Sequence, residues 1–497
     1  MCGDVRSGYF VNHETPVRYQ RMIQGVIVNS KTGLRLLRHA GWLSALCLAV
    51  TTTFYIPSPA NAETIAGALS KAYVGNPQLK ADQARQRATD EQIPQAKSGW
   101  RPTVTTNSDI RKSYQGKRHD DSTGVAYRKS DFLDGGFRIE LSQPVFDGFR
   151  SENALREADA TVRAGNQNLL AVEQQVLLDG AIAFMDVIRD RQIANYRRDS
   201  LDNFKEQVRA AKARFDVGEI TRTDVAQANA RSAEARGRYA VAVGNLETSV
   251  ANYIRVIGIK PGQLISPPLS PRVPKTLRQA IAISGETNPQ ILAAAYVEQA
   301  AEANIGVQKS DLLPKLNFEA GYLIDNNPKN FLGRSRTGYI QGTLSVPIYQ
   351  SGRVYSQIRE AKQISSQRKM EVLDVHRQVR ERVVSAWHLL KAATATIAAA
   401  REAVAANQIA LDGVKQEAQV GTRTTLDVLN AENELVETQV ALATSLRDRI
   451  VAGYQLVAAI GRMTAADLRL SVNIYEPERN LDEVRDKAFG ASINTSE

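Results

Sequence analysis

Few residues in this chain are placed for bond-making chemistry. Downstream of the first sixty residues the histidines are His119, His376 and His388, and none stands in a metal-ligand pair or beside a nucleophile motif. His119 reads as a solvated loop residue, and His376 and His388, twelve apart on one helical stretch, read as surface or packing residues. Asp186 and Asp190 lie one helical turn apart, but charge on a long helix usually marks a solvated face. There is no phosphate-binding glycine loop, and Asp134-Gly135-Gly136 reads as a turn. Neither a cofactor nor a metal is expected, and the chain is not read as an enzyme. The informative residues are instead two turn signals, Val217-Gly218-Glu219-Ile220-Thr221 and Val420-Gly421-Thr422-Arg423-Thr424. In each, glycine can end one helix in the left-handed conformation, and a threonine followed three residues later by Asp224 or Asp427 can cap the next.

The elements that position these turns come as one pattern written twice. Asn76-Pro77-Gln78-Leu79 answers to Asn288-Pro289-Gln290-Ile291 at an offset of 212, which also carries Lys97-Ser98 to Lys309-Ser310 and Pro102 to Pro314. From Pro144-Val145-Phe146 to Pro347-Ile348-Tyr349 onward the offset is 203, and it holds through Gly218 to Gly421, Asp224-Val225 to Asp427-Val428, and Ile257-Gly258 to Ile460-Gly461. The net change of nine residues falls between Pro102 and Pro144 and predicts a longer loop in the first copy, near Gly116 to Asp131.

Each copy opens with a short helix (near 64–75 and 276–287) and a second helix reaching Pro102 or Pro314. Period-two alternation follows: Phe137, Ile139, Leu141 and Val145 against Arg138, Glu140 and Ser142, and Ile340, Leu344, Val346 and Ile348 against Gln341, Thr343 and Ser345. Strands are expected over about 102–114, 134–147, 314–325 and 336–350. Proline-free stretches rich in Ala, Gln, Glu and Arg then predict long helices over about 148–217 and 221–257, and about 351–420 and 424–460, the first with heptad-like apolar spacing. An unbroken helix over 148–217 would be on the order of 105 Å long, which no compact globule accommodates. The domain plan is therefore a first repeat at 63–262, a Pro-rich linker at 263–275, a second repeat at 276–462 and a polar tail at 463–497.

Lys31, Arg35 and Arg38, an apolar run from Gly41 to Ile56, and Ala60-Asn61-Ala62 read as a signal peptide spanning 1–62, with Met22 a candidate start. A single membrane anchor is the alternative, but the run is short for a bilayer span and ends in Pro57 and Pro59. Both cysteines, Cys2 and Cys47, precede the cleavage site, so the mature chain would hold no disulfide; lipidation of Cys47 is disfavoured by bulky Leu46. The chain carries 63 basic and 53 acidic residues, interspersed along its length, and no nucleic-acid partner is expected. No apolar run beyond the signal reaches the roughly 20 residues of a spanning helix, so membrane insertion would use strands. Four strands of lipid-crossing length cannot close alone: a dimer would give eight and a trimer twelve, and the wider barrel is the one that leaves a lumen. A soluble sheet, a fibrous coiled coil, and a periplasmic coiled-coil adaptor or scaffold are the competing readings, against which two repeats of lipid-length alternation argue.

At these residues the chain resembles the TolC-type outer-membrane efflux channels over essentially its whole mature length. Val420-Gly421-Thr422-Arg423-Thr424-Thr425-Leu426-Asp427-Val428-Leu429 is the most specific match, supported by Gln143-Pro144-Val145-Phe146-Asp147 and Pro347-Ile348-Tyr349-Gln350. The resemblance implies a mainly α fold with a membrane β-barrel, assembled as a homotrimer whose twelve strands form the barrel and whose helices form a tunnel closed at its periplasmic tip. It implies that Arg423 bonds toward Asp224 and Thr223, and that Asp427 from three chains forms an acidic ring. Asn430 stands where a second acidic ring residue is common, and Ala418 where a tyrosine link can occur, so the closed state is expected to be less acidic and more easily opened than the family norm. It further implies an outer-membrane lipid environment and a tripartite export system, with a periplasmic adaptor (membrane fusion protein) at the turns around Val217, Gly218, Val420, Gly421 and Thr422 and an inner-membrane pump of RND or ABC type. Cargo, whether drugs and toxic compounds or secreted protein, follows the pump.

Overall fold

The computed structural model describes residues 63–121, 124–267, 272–326 and 334–493. The signal segment and its cleavage site lie outside the described residues, as does part of the Pro-rich linker. The first repeat holds α1 (Ile65–Gly75), α2 (Pro77–Asp90), α3 (Gln92–Lys97), β1 (Thr103–Asp121), β2 (Gly124–Phe146), α4 (Arg150–Asp216) and α5 (Arg222–Ile257). The second holds α6 (Leu277–Thr287), α7 (Pro289–Lys309), β3 (Lys315–Asn326), β4 (Arg334–Ser345), α8 (Arg353–Gln419) and α9 (Thr425–Ala459), and α10 (Pro477–Val484) follows. α4 and α8 are both 67 residues, so each is on the order of 100 Å long.

Three features depart from the sequence expectation. The second helix of the first copy is split at Glu91 into α2 and α3, where α7 runs unbroken. Pro94 causes this: it donates no amide hydrogen bond, and its ring would clash with the Asp90 carbonyl in a continuous helix. The extra residues of the first copy do not form a loop, because the β1–β2 ladder continues past Gly116↔Lys129 to Asp121↔Gly124 and the hairpin is simply longer. His119 accordingly lies in β1, paired with Ala126, and Asp134-Gly135-Gly136 is not a turn but part of β2, paired with Asp109 to Arg111. The tail is not merely polar: Met463, Ala465 and Leu470 are buried in the largest apolar cluster, and α10 docks beside α2, with Asn480 donating 2.7 Å to Asp90.

The four strands form one antiparallel sheet in the order β1-β2-β3-β4, leaving the outer edges of β1 and β4 without partners among the described residues. Its registers sort side chains onto two faces. Val104, Leu141, Ala320 and Ile340 share one row, and Thr106, Ile139, Tyr322 and Gly338 the next, on a face that carries no charge over these rows. The opposite face carries Asp109, Arg138, Glu140 and Glu319. Val104, Ile340 and Leu344 on the apolar face are 63%, 75% and 64% exposed, which in water would be a standing cost.

The helical core lies where the short helices pack on the long ones. Leu69, Leu177, Phe184, Tyr253 and Met463 are essentially inaccessible to solvent, each apolar one contributing roughly 1.5–3 kcal/mol. The repeated Asn-Pro-Gln motif fastens this joint. Asn76 Oδ1 accepts from Gln78 N at 2.9 Å while its Nδ2 donates to Val256 O at 3.2 Å, and Asn288 does the same with Gln290 N and Ala459 O, at 2.9 Å each. One side chain thus caps the second helix and ties it to the end of the long hairpin.

Candidate gate at the hairpin tips

The two turn signals fold as equivalent structures. α4 ends with Gly218 at φ +79°, its N–H donating to Phe215 O and that of Glu219 to Arg214 O, both at 2.9 Å. α8 ends with Gly421 at φ +82°, its N–H donating to Ala418 O at 3.3 Å and that of Thr422 to Glu417 O at 3.0 Å. These paired bonds satisfy the last carbonyls of each helix, and the left-handed glycine is what allows them. A capping box opens the next helix in both cases: Asp224 Oδ2 accepts from Thr221 N at 2.9 Å and Thr221 Oγ1 at 2.8 Å, and Asp427 Oδ2 accepts from Thr424 N and Oγ1 at the same distances. Those bonds hold both carboxyls below the ordinary aspartate range, with Arg423 adding to the effect at Asp427. Both tips are solvated, with Val217 78% and Val420 75% exposed.

Charge is laid out differently on the two tips. Arg214 precedes the first turn and Glu219 follows it, 3.9 Å apart; in the second, Glu417 precedes and Arg423 follows, with Arg423 Nε donating to Glu417 Oε2 at 2.9 Å. Among the described residues, Glu417 is the side chain that Arg423 bonds within the chain. Thr223 is exposed on the first turn of α5, and Asp224 is committed to its own cap.

Asn430 does reach the first hairpin, accepting from Arg231 Nη2 at 3.2 Å. That bond begins a network the sequence reading missed. Arg238 donates to Glu234 at 2.6 Å, Asn433 at 2.5 Å and Glu437 at 2.6 Å, while Arg197 of α4 grips Glu437 with two bonds of 3.0 and 2.8 Å. Arg197 holds Glu437 below the ordinary glutamate range. A signal was available: Glu234 and Glu437 are repeat equivalents at the 203 offset, and both hold Arg238. Nearby, Glu432 is 2% exposed, with Lys415 Nζ 4.0 Å away and with Oε2 lacking a hydrogen-bond partner among the described residues. Burial pushes its pKa up against the pull of Lys415.

A sheet with a charge-free band exposed on one face, joined to helical hairpins on the order of 100 Å long whose tips are solvated and charged, defines an outer-membrane channel with a helical duct. The comparisons with known proteins agree. The outer membrane efflux protein family matches residues 68–258 and 281–462, and the chain belongs to that family. It is 40% identical over 449 residues to the outer membrane efflux protein BepC of Brucella suis, covering 90% of this chain and 96% of that one. With the outer membrane protein TolC of Vibrio cholerae it shares 26% identity over 418 residues, 82% of this chain and 92% of the relative. The fold matches the crystal structure of the Campylobacter jejuni CmeC outer membrane channel with a TM-score of 0.71 at 15% identity, over 85% of this chain and 89% of that one. The chain is thus an outer-membrane channel component of a Gram-negative export system, not a periplasmic scaffold.

Proposed function

We propose that three copies close into a twelve-stranded barrel continued by a helical tunnel, and that the hairpin tips gate it for a periplasmic adaptor and an inner-membrane pump. The observation that carries this is the four-stranded sheet itself, with two open edges and a charge-free band on one exposed face: in lipid, open edges leave backbone groups unpaired, and repetition around a closed ring is what removes them. α8 supports it, since Met370, Leu373, Leu389 and Ile409 are 59%, 52%, 54% and 74% exposed in a single chain and would be covered by a neighbour. No catalytic step is assigned; the chain's work is passage.

In this reading the Arg423–Glu417 pair and the capped Asp224 and Asp427 stand at the narrow end. Arg423 could exchange Glu417 for Asp224 or Thr223 of a neighbouring hairpin as the tip closes, while the Arg231–Asn430 and Arg238–Glu437 bonds hold the two hairpins of one copy together. The turns at Val217 and Gly218, and at Val420, Gly421 and Thr422, are the surfaces offered to the adaptor. Cargo, drugs and toxic compounds or secreted protein, is set by the pump.

Single-channel recording in a planar bilayer tests the gate. Native protein should pass a small, cation-preferring current, and Arg423→Ala or Arg238→Ala should enlarge it. Well-folded, detergent-stable trimers that give no pores would overturn the duct; pores unchanged by both substitutions would overturn the assignment of the gate.

A further inference from the structure

Resting on the reading of the sheet as membrane-spanning, a second feature of its apolar face points outward. Moving along that face away from the helices, the rows are uncharged until Arg336, which shares a row with Ile324, Phe137 and Ser108. The next row brings Arg334 beside Asn326, Gly135 and Ile110, and the row beyond it brings Lys112 opposite Leu133. Further out, the ladder places Asp131 opposite Tyr114 and Lys129 opposite Gly116. The first charges met at the far margin of the charge-free band are therefore three bases. Lys112, Arg334 and Arg336 are all exposed, none is ion-paired with an acidic side chain among the described residues, and Lys112 Nζ lies 5.3 Å from the ring centroid of Tyr114.

The helices fix which margin this is. They leave the sheet at its other end, so the basic end belongs to the outer leaflet. The repeat offsets carry the β2–β3 register into the seam between copies: Phe137↔Ile324 becomes Ile340 opposite Lys112 of the neighbouring copy, and Gly135↔Asn326 becomes Gly338 opposite its Tyr114. Along that seam Arg336 and Arg334 of one copy stand four and six residues beyond the position opposite Lys112 of the next, about 13 and 20 Å along the strand, so the bases form a stripe that runs up the seam. Long basic side chains at that height can run their stems along lipid and present their heads to the interface, where guanidinium forks match phosphate oxygens.

We infer that this band binds the phosphate-bearing head groups of the outer-leaflet glycolipid, one basic stripe at each seam of the trimer. The test reconstitutes the mature chain in phosphatidylcholine nanodiscs doped with lipid A carrying its phosphates or with the same lipid A after dephosphorylation, and counts co-purifying lipid by native mass spectrometry. Native protein should retain the phosphorylated form about tenfold over the other, two or three charge-assisted contacts being ample for that ratio. The combined variant Lys112→Gln, Arg334→Gln and Arg336→Gln should lose the preference, while Arg334→Lys with Arg336→Lys should keep most of it. Equal retention of both lipids, or a preference that survives the Gln variant, overturns the inference. Displacement by inorganic phosphate would show an ion site and overturn the commitment to lipid. Failure to insert into either bilayer would instead overturn the membrane reading beneath it.

Discussion

Asp427 caps a helix and, in the proposed trimer, would also line the tip, and substitution can separate the two roles. Its Oδ2 caps α9 through Thr424, and its charge sits where three copies would converge. Asp427→Asn keeps an acceptor for the cap and removes the charge; Asp427→Ala removes both. Reversal potentials across a salt gradient should show reduced cation preference in both variants, whereas amide exchange in the first turn of α9 should quicken only in the alanine variant. Glu432 gives a prediction in pH. Its folded-state pKa lies above its ordinary value, so the protonated form is favoured in the folded tip: its contribution to stability is complete at acid pH and is lost as pH rises through the raised value. Glu432→Gln should therefore be more resistant to urea than the native chain at neutral pH, with the difference gone below about pH 3, where the native residue is protonated in both states. A native chain that gained resistance on going from acid to neutral pH, relative to the variant, would reverse the assignment. The caps were legible because Thr-x-x-Asp is read within four residues. The Arg238–Glu437 bond was not, since it joins positions 199 apart and only the crossing of α5 over α9 brings them together.

At the scale of elements, most of the architecture could be read from periodicity. Proline-free helical composition runs from Val145 to Lys260 and from Ile348 to Glu476, and α4, α5, α8 and α9 lie within those spans, with 460–476 left non-helical. What escaped was governed by single residues or by pairing: Pro94 breaking a helix that repeat symmetry made continuous, and a ladder absorbing the nine-residue difference as extra strand. A long hairpin and a short hairpin with a long loop have nearly the same sequence signature when the insertion is polar and alternates weakly. The Asn-Pro-Gln motif was used only to find the repeat, yet it carries the joint between short and long helices. Asn288→Ala removes a cap and leaves the Ala459 carbonyl without its donor, which should cost about 1–3 kcal/mol. The checkable sign is earlier urea unfolding with faster exchange at Gln290 and Leu292. Gly461→Ala tests the same joint from the other side, because a Cβ there would lie 2.6 Å from Thr287 O, whereas at Gly421 it would meet nothing within 4 Å. Gly461→Ala should be distinctly more destabilising than Gly421→Ala, although both glycines have positive φ.

For the whole molecule, the decisive property is which face of the sheet meets lipid. Ile340→Arg places a charge in the charge-free band and should impair folding into vesicles by about 2–4 kcal/mol, while Thr343→Arg, on the opposite face, should leave insertion intact and shift ion selectivity. The reverse outcome would turn the sheet inside out and move the duct with it. The two tips carry one further consequence. Their backbones are alike in kind, with the same glycine, the same capping box and incoming helices of equal length, but their ion pairs run in opposite order: base before acid in the first, acid before base in the second. In a trimer the rim would then be sixfold to any partner that feels only shape and threefold to one that feels charge. The stoichiometry of a docked partner, six or three, would thus report which of those two properties it reads.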